Sequence, residues 1–188
     1  MNSTTLTIVI AALFVVLLVG ALAFVFMRRR RSDNLRSSFG PEYERAVEVA
    51  DDRHSAEAEL RARQKRVERF EIQPLTPSDR TRFVAAWRDV QAEFVDRPKE
   101  ALAHADDLLT EVMRTRGYPM TDFDQRSADL SVDHPAVVQN YRAGREIATR
   151  DKEGQAGTED LRQAMIHYRA LFDELAAEGE ESAQRRAS

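Results

Sequence analysis

The sequence predicts an all-α protein with one N-terminal transmembrane helix, a long juxtamembrane helix and a bundle of about five helices. Two observations support this. The first 27 of the 188 residues carry no charged side chain. Apolar residues then recur at three- and four-residue spacings in five segments, and no segment alternates apolar and polar residues as a half-buried strand would. The predicted parts are an anchor with its arginine cluster (1–31), a juxtamembrane helix and linker (32–73), a helical domain (74–178) and a flexible tail (179–188).

The predicted membrane span runs from Leu6 to Met27. As a helix it would be about 33 Å long, enough to cross a hydrocarbon core of roughly 30 Å. A secretory signal peptide would need a positive segment before the apolar run, whereas Met1–Thr5 has no Lys or Arg and the run ends directly in four arginines. Arginines at the membrane edge favour the cytoplasmic side. We therefore expect an uncleaved single-pass anchor with the N-terminus outside and the remaining chain in the cytoplasm.

The arginine cluster, which consists of Arg28, Arg29, Arg30 and Arg31, allows two interpretations. It could bind anionic lipid headgroups, since each arginine near a membrane surface contributes about 1 kcal/mol. It could also serve only to set the topology, which is the simpler interpretation.

Composition excludes several classes of function. Without the arginine cluster, residues 32–188 hold 24 basic and 32 acidic side chains, a net charge of −8 that argues against a nucleic-acid partner. The chain has no cysteine, so disulfides, iron–sulfur clusters, thiolate zinc sites and a cysteine nucleophile are excluded.

The juxtamembrane segment is predicted to be one helix from Pro41 to about Phe70, ended by Pro74 and Pro77. It could stand off the membrane as a solvated stalk. Alternatively it could lie on anionic lipid through a row of basic side chains, Arg61, Lys65 and Arg69.

The first helix of the bundle is predicted to begin at Pro77, because Thr76 with Asp79 has the spacing of a capping box. Its apolar stripe contains Trp87, the single tryptophan, which is expected in the core. The other members of that stripe are Phe83, Val90 and Phe94.

The second helix should run from about Pro98 to Gly117, a natural left-handed residue after a helix, with the ring of Tyr118 over Met113. Thr121 has capping-box spacing to Asp124 and is expected to start a short third helix.

The last long helix is predicted to begin at Thr158, where Glu159 and Asp160 suit the positive end of the helix dipole. Its apolar seam is Leu161, Met165, Tyr168, Phe172 and Leu175.

A candidate functional loop is formed by Arg116, Tyr118, Asp133 and His134, in the two irregular regions of the bundle. The motifs VDRP and VDHP each place an aspartate, Asp96 or Asp133, ahead of a proline, so both are expected to cap helices. His134 could instead be catalytic, although a Ser, an Asp and a His within four residues rarely adopt the geometry of a triad.

The chain resembles a family of bacterial single-pass membrane proteins usually labelled hypothetical, putative secreted or putative membrane proteins. The resemblance covers about Arg36–Leu175 and rests on four strings: FGPEY at 39–43, RGYP at 116–119, DLSVDHP at 129–135 and TEDLRQAMIHYR at 158–169. It implies a bacterial source, location in the cytoplasmic (inner) membrane and the layout of an anchor followed by helices. It implies no activity and no site residue.

The function expected from this layout is protein interaction or scaffolding at the cytoplasmic face of the membrane, with membrane lipid around the N-terminal helix and an unknown protein as partner. No HExxH, GxSxG, GxxxxGK[ST] or GxGxxG motif occurs, so we expect no enzyme, cofactor or metal. The alternatives are an enzyme of unrecognised type using the 116–135 region and a peripheral module that binds anionic lipid. An exposed apolar groove would favour partner binding, and a pocket lined by perturbed titratable groups would favour the enzyme.

Overall fold

The computed structural model describes residues 17–20, 22, 26–27, 30 and 32–187, with side chains as far as Ala176. All regular elements in this part of the chain are helices, so the predicted all-α class is confirmed. The helices are α1 (Pro41–Val49), α2 (Arg53–Val67), α3 (Pro77–Asp96), α4 (Pro98–Arg116), α5 (Phe123–Asp133), α6 (Val138–Lys152) and α7 (Thr158–Ala187). Residues 32–39 are also helical, and α7 continues through the segment predicted to be a tail.

Most of the predicted membrane span lies outside the described residues. Its described members, residues 17–20, 22 and 26–27, are helical and exposed. None of the helices in the described ranges is both long enough and apolar enough to cross a bilayer.

The predicted single helix from Pro41 to Phe70 is wrong, because the chain turns back between α1 and α2. Ala50 is extended, with ψ 154°, and Asp52 is extended as well. The Asp52 carboxylate accepts hydrogen bonds from the backbone N–H groups of His54 and Ser55, at 2.6 and 3.0 Å, and so caps α2. Folding back lets the two helices bury apolar side chains against each other, which a single straight helix could not do. Whether the hairpin stands in solvent or contacts anionic lipid through Arg61, Lys65 and Arg69 stays a prediction.

The α1–α2 hairpin has its own small core and is tied to the bundle by buried charge. The core consists of Leu35, Phe39, Tyr43, Ala46, Ala56 and Leu60, with Val132 of α5 packed against it. Fully buried Glu42 accepts two hydrogen bonds from Arg142 of α6, at 2.6 and 2.9 Å, and one from Arg63 of α2, at 3.1 Å. A second ion pair joins Arg66 of α2 to Asp129 of α5 at 2.7 Å. The hairpin is therefore docked on the bundle.

The main core lies among α3, α4, α6 and α7, with α6 packed along α7 and α4 packed on both α3 and α7. The predicted stripe on α3 is confirmed, since Phe83, Trp87 and Val90 are buried. Trp87 stacks on Phe172 of α7, with ring centroids 4.8 Å apart and planes inclined by 12°. The whole predicted seam of α7 belongs to this core.

Two predicted helix starts are confirmed. Thr76 accepts the N–H of Asp79 at 3.1 Å, and α7 begins at Thr158. Gly117 adopts the predicted left-handed conformation, with φ 97°, and the N–H of Tyr118 donates to the carbonyl of Met113 at 3.0 Å.

Three predicted caps are wrong. Asp122 rather than Thr121 caps α5, accepting the N–H of Gln125 at 2.9 Å. Asp96 is the last residue of α3, and no side chain caps α4. Asp133 is the last residue of α5, because the chain makes a turn over residues 135–137 before α6 begins at Val138. In both motifs the helix before the proline extends through the aspartate.

Candidate functional site

The structure brings the four residues of the predicted functional loop together. Arg116 ends α4 and Tyr118 follows it, while Asp133 ends α5 and His134 follows it. The Tyr118 hydroxyl donates to a carboxylate oxygen of Asp133 at 2.9 Å. Nη1 of Arg116 lies 3.4 Å from Nε2 of His134. The rings of Tyr118 and His134 have their centroids 6.5 Å apart.

Three residues of this cluster are closed off from solvent, whereas Asp133 is exposed. Arg116, Tyr118 and His134 are only 3%, 3% and 1% exposed. Arg116 also donates to the carbonyl of Leu175 at 3.3 Å, and Nδ1 of His134 lies 3.4 Å from a carboxylate oxygen of Glu174.

These contacts join the ends of α4 and α5 to α7. An enzyme needs its reacting groups to be reached by substrate, whereas a buried network of this kind fixes the relative positions of helices. The arrangement favours a structural role for His134, exercised through burial and contacts between helices.

An exposed groove between α3 and α7 was not identified from the sequence. It has a volume of about 170 Å³. Its apolar surface comes from Phe94, Met165 and Ile166, of which Ile166 is 47% exposed. The lining residues are Gln91, Phe94, Arg162, Met165, Ile166 and Arg169. The available sequence signal was Ile166, a large apolar residue directly beside the buried seam and therefore turned away from the core.

The charged residues that line the groove are both arginines. Arg162 pairs with Glu159 at 2.6 Å, and Arg169 pairs with Asp173 at 3.4 Å. Hydrogen bonds from Arg162 and Gln163 lower the pKa of Glu159 to about 2. All four charged side chains of these two pairs are at least half exposed, so each pair contributes little to folding stability.

A third polar cluster lies at the start of the hairpin, close in sequence to the predicted arginine cluster. Glu57 of α2 accepts hydrogen bonds from Ser32, from the Tyr43 hydroxyl at 3.0 Å and from Arg53 at 3.1 Å. Burial by itself would raise the pKa of Glu57, but these hydrogen bonds outweigh that effect and lower it. The cluster therefore holds residue 32, and with it the chain that follows the predicted anchor, on the hairpin.

Of the predicted arginine cluster, Arg30 is described. Arg30 is helical and exposed, and its guanidinium carbon lies 4.7 Å from the centroid of the Phe26 ring. Arg28, Arg29 and Arg31 lie outside the described residues.

Metal binding has no candidate site in the described part of the chain, where no three His, Asp or Glu side chains are grouped to hold an ion. Comparison of the chain with protein-family models, curated proteins and solved structures found no match. The resemblance drawn from the sequence strings stays a prediction.

Proposed function

We propose that this protein is a binding module tethered to a membrane by its N-terminal helix, and that it acts by contacting a protein partner rather than by catalysing a reaction. The observation that carries the proposal is the groove between α3 and α7, which is exposed and has an apolar floor and basic flanks. The four residues considered for catalysis are part of a network that closes off three of them from solvent.

Exposed apolar side chains near the N-terminus support the tether. Leu17, Val19 and Leu22 are 58–64% exposed, and Phe26 and Met27 are more than half exposed. Such a concentration of large apolar side chains in contact with water is unfavourable, and insertion into lipid would remove it. The four arginines that follow favour the cytoplasmic side for residues 32–188.

Reporter fusions test the tether and its orientation. A C-terminal reporter that is active only outside the cytoplasm should give no signal, while a cytoplasmic reporter at the same position should be active. The protein should sediment with membranes and stay there in alkaline carbonate. A mature N-terminus near Arg28, or release by carbonate, would contradict the tether.

Photocrosslinking in intact cells tests the binding role. A photoreactive amino acid in place of Ile166 should give one discrete adduct, and Arg169→Glu should remove it. The same amino acid in place of Val49 is the matched control, since Val49 is 77% exposed but lies on α1 outside the groove. Adducts equal at both positions, or none at Ile166, would contradict the proposal.

A further inference from the structure

We propose that the groove between α3 and α7 binds an acidic amphipathic helix of a partner protein, which inserts one large apolar side chain between two carboxylates spaced seven residues apart. This inference rests on the proposed binding function and specifies the chemistry of the partner.

The size of the groove identifies the kind of anchor. Pockets for small-molecule ligands usually have volumes of about 300–1,000 Å³, whereas this groove has about 170 Å³. That volume suits a single large apolar side chain, which is how protein partners place an anchor residue in a shallow pocket. Phe94 and Met165 supply apolar surface on α3 and α7, and Gln91 supplies a polar group at the side.

The charges define what should flank the anchor. Arg162 and Arg169 lie on either side of Ile166 on one face of α7, seven residues or about 10.5 Å apart. Their acidic neighbours, Glu159 and Asp173, lie outside the stretch between the two arginines. A partner helix with carboxylates two turns apart would match this spacing, with its apolar anchor midway.

Charge complementarity argues for an acidic partner rather than a second copy of this chain. The protein carries a net charge of −4, yet both charged side chains that line the groove are arginines, and the carboxylates that pair with them, Glu159 and Asp173, do not line it. If α7 packed on α7 of a second copy around Ile166, the arginines of one copy would meet those of the other. Like charges facing each other would oppose that contact.

The test uses the full chain in nanodiscs of zwitterionic lipid and a fluorescently labelled synthetic helical peptide. The peptide carries Glu at two positions seven residues apart and Leu midway between them, in an Ala-rich background. Anisotropy should report saturable binding. Ile166→Glu and Arg169→Glu should each weaken binding at least about tenfold, and a peptide with the Glu facing Arg169 replaced by Lys should recover affinity for Arg169→Glu.

Matched variants control for general effects of charge. Val49→Glu also puts a carboxylate at an exposed apolar position, and Arg69→Glu reverses an exposed arginine in the turn after α2. Both should bind the peptide within about twofold of the wild-type protein. Circular dichroism melts of all variants identify any that fail to fold, and a loss of binding is counted only for variants that melt like the wild type.

Several results would overturn the inference. They are the absence of saturable binding, equal binding of an all-Lys peptide, and unchanged binding by both groove variants. Self-association of the wild type that Ile166→Glu abolishes would assign the groove to a second copy. Competition of anionic vesicles for the peptide site would assign it to lipid. A discrete photoadduct at Ile166 in cells without peptide binding would leave the proposed function standing and reject the acidic helix alone.

Discussion

Gly144 is the position where one added methyl group should have the clearest effect on stability. A Cβ at this residue of α6 would lie 2.4 Å from Cε1 and 2.5 Å from Cδ1 of Tyr168 in α7, far inside the usual carbon–carbon separation of about 3.5–4.0 Å. The Tyr168 ring is fully buried, and its hydroxyl donates to Asp106 of α4 at 3.0 Å. Asp106 is itself paired with Arg145 at 2.8 Å, so the ring has little freedom to move.

Three contributions decide the size of the effect of Gly144→Ala. Alanine favours a helix over glycine by about 1 kcal/mol. Overpacking a core costs about 1–3 kcal/mol, and displacing the ring weakens the hydrogen bond from Tyr168 to Asp106, worth about 1 kcal/mol. We expect a net loss of about 1–3 kcal/mol, since steric strain and the weakened bond together outweigh helix propensity. For a chain of this size the melting temperature should fall by roughly 5 °C.

Thermal melts followed by far-ultraviolet circular dichroism measure this loss. Gly157→Ala is the control, because the nearest heavy atom to a Cβ there is 3.7 Å away and its stability should change by less than about 0.5 kcal/mol. In a Tyr168→Leu background, Gly144→Ala should lower the stability much less, because the aromatic ring that the added methyl group would clash with is absent. A rise in melting temperature for Gly144→Ala in the wild-type background would refute the close packing of α6 on α7.

Three further predictions concern Gly117, Glu42 and Tyr141. Gly117→Ala should destabilise the protein by about 1–3 kcal/mol in urea unfolding, because φ is 97° and a Cβ would lie 2.5 Å from the backbone oxygen of Glu71; a neutral effect would contradict this. Glu42→Gln should cost about 3 kcal/mol by leaving the partly buried Arg142 without the buried carboxylate that it pairs with, and limited proteolysis should then cut between α1 and α2; wild-type resistance to proteolysis would contradict this. Burial raises the pKa of Tyr141 to about 12, so the stability that the neutral hydroxyl contributes is fully present below about pH 10 and is lost as the pH rises towards 12. The free energy of unfolding in urea should therefore fall less over this pH range in Tyr141→Phe than in the wild type. An equal fall in the two proteins would contradict this prediction.

The pattern of apolar residues predicted the helices of the bundle well where one face had to be buried. The seam of α7 and the stripe containing Trp87 both lie in the core. Local backbone signals were confirmed for glycine in a left-handed conformation, at Gly117, and for the threonine cap at Thr76. The same threonine signal was wrong at Thr121, since the neighbouring Asp122 caps α5 instead. These features depend on residues within one or two turns, so a sequence contains what determines them.

Caps formed by aspartate were predicted less well, because the same side chain can end one helix or begin the next. Asp133 has the spacing of a cap but receives a hydrogen bond from Tyr118, which lies fifteen residues earlier. Asp52 caps a helix that interrupts the predicted juxtamembrane helix, and the decisive gain comes from burying the two helices of the hairpin against each other. Contacts between distant segments overrode the local pattern in both cases.

By itself the sequence determined the all-α class and the apolar faces of α3 and α7, since periodicity along one helix fixes which side avoids water. Only the tertiary structure decided which helices face each other. It placed Glu42 beside Arg142, a hundred residues away, and it brought Phe94 of α3 next to Ile166 of α7 to form the groove. Such pairings depend on how whole helices pack and on the charge buried between them, and no spacing within a single helix encodes them.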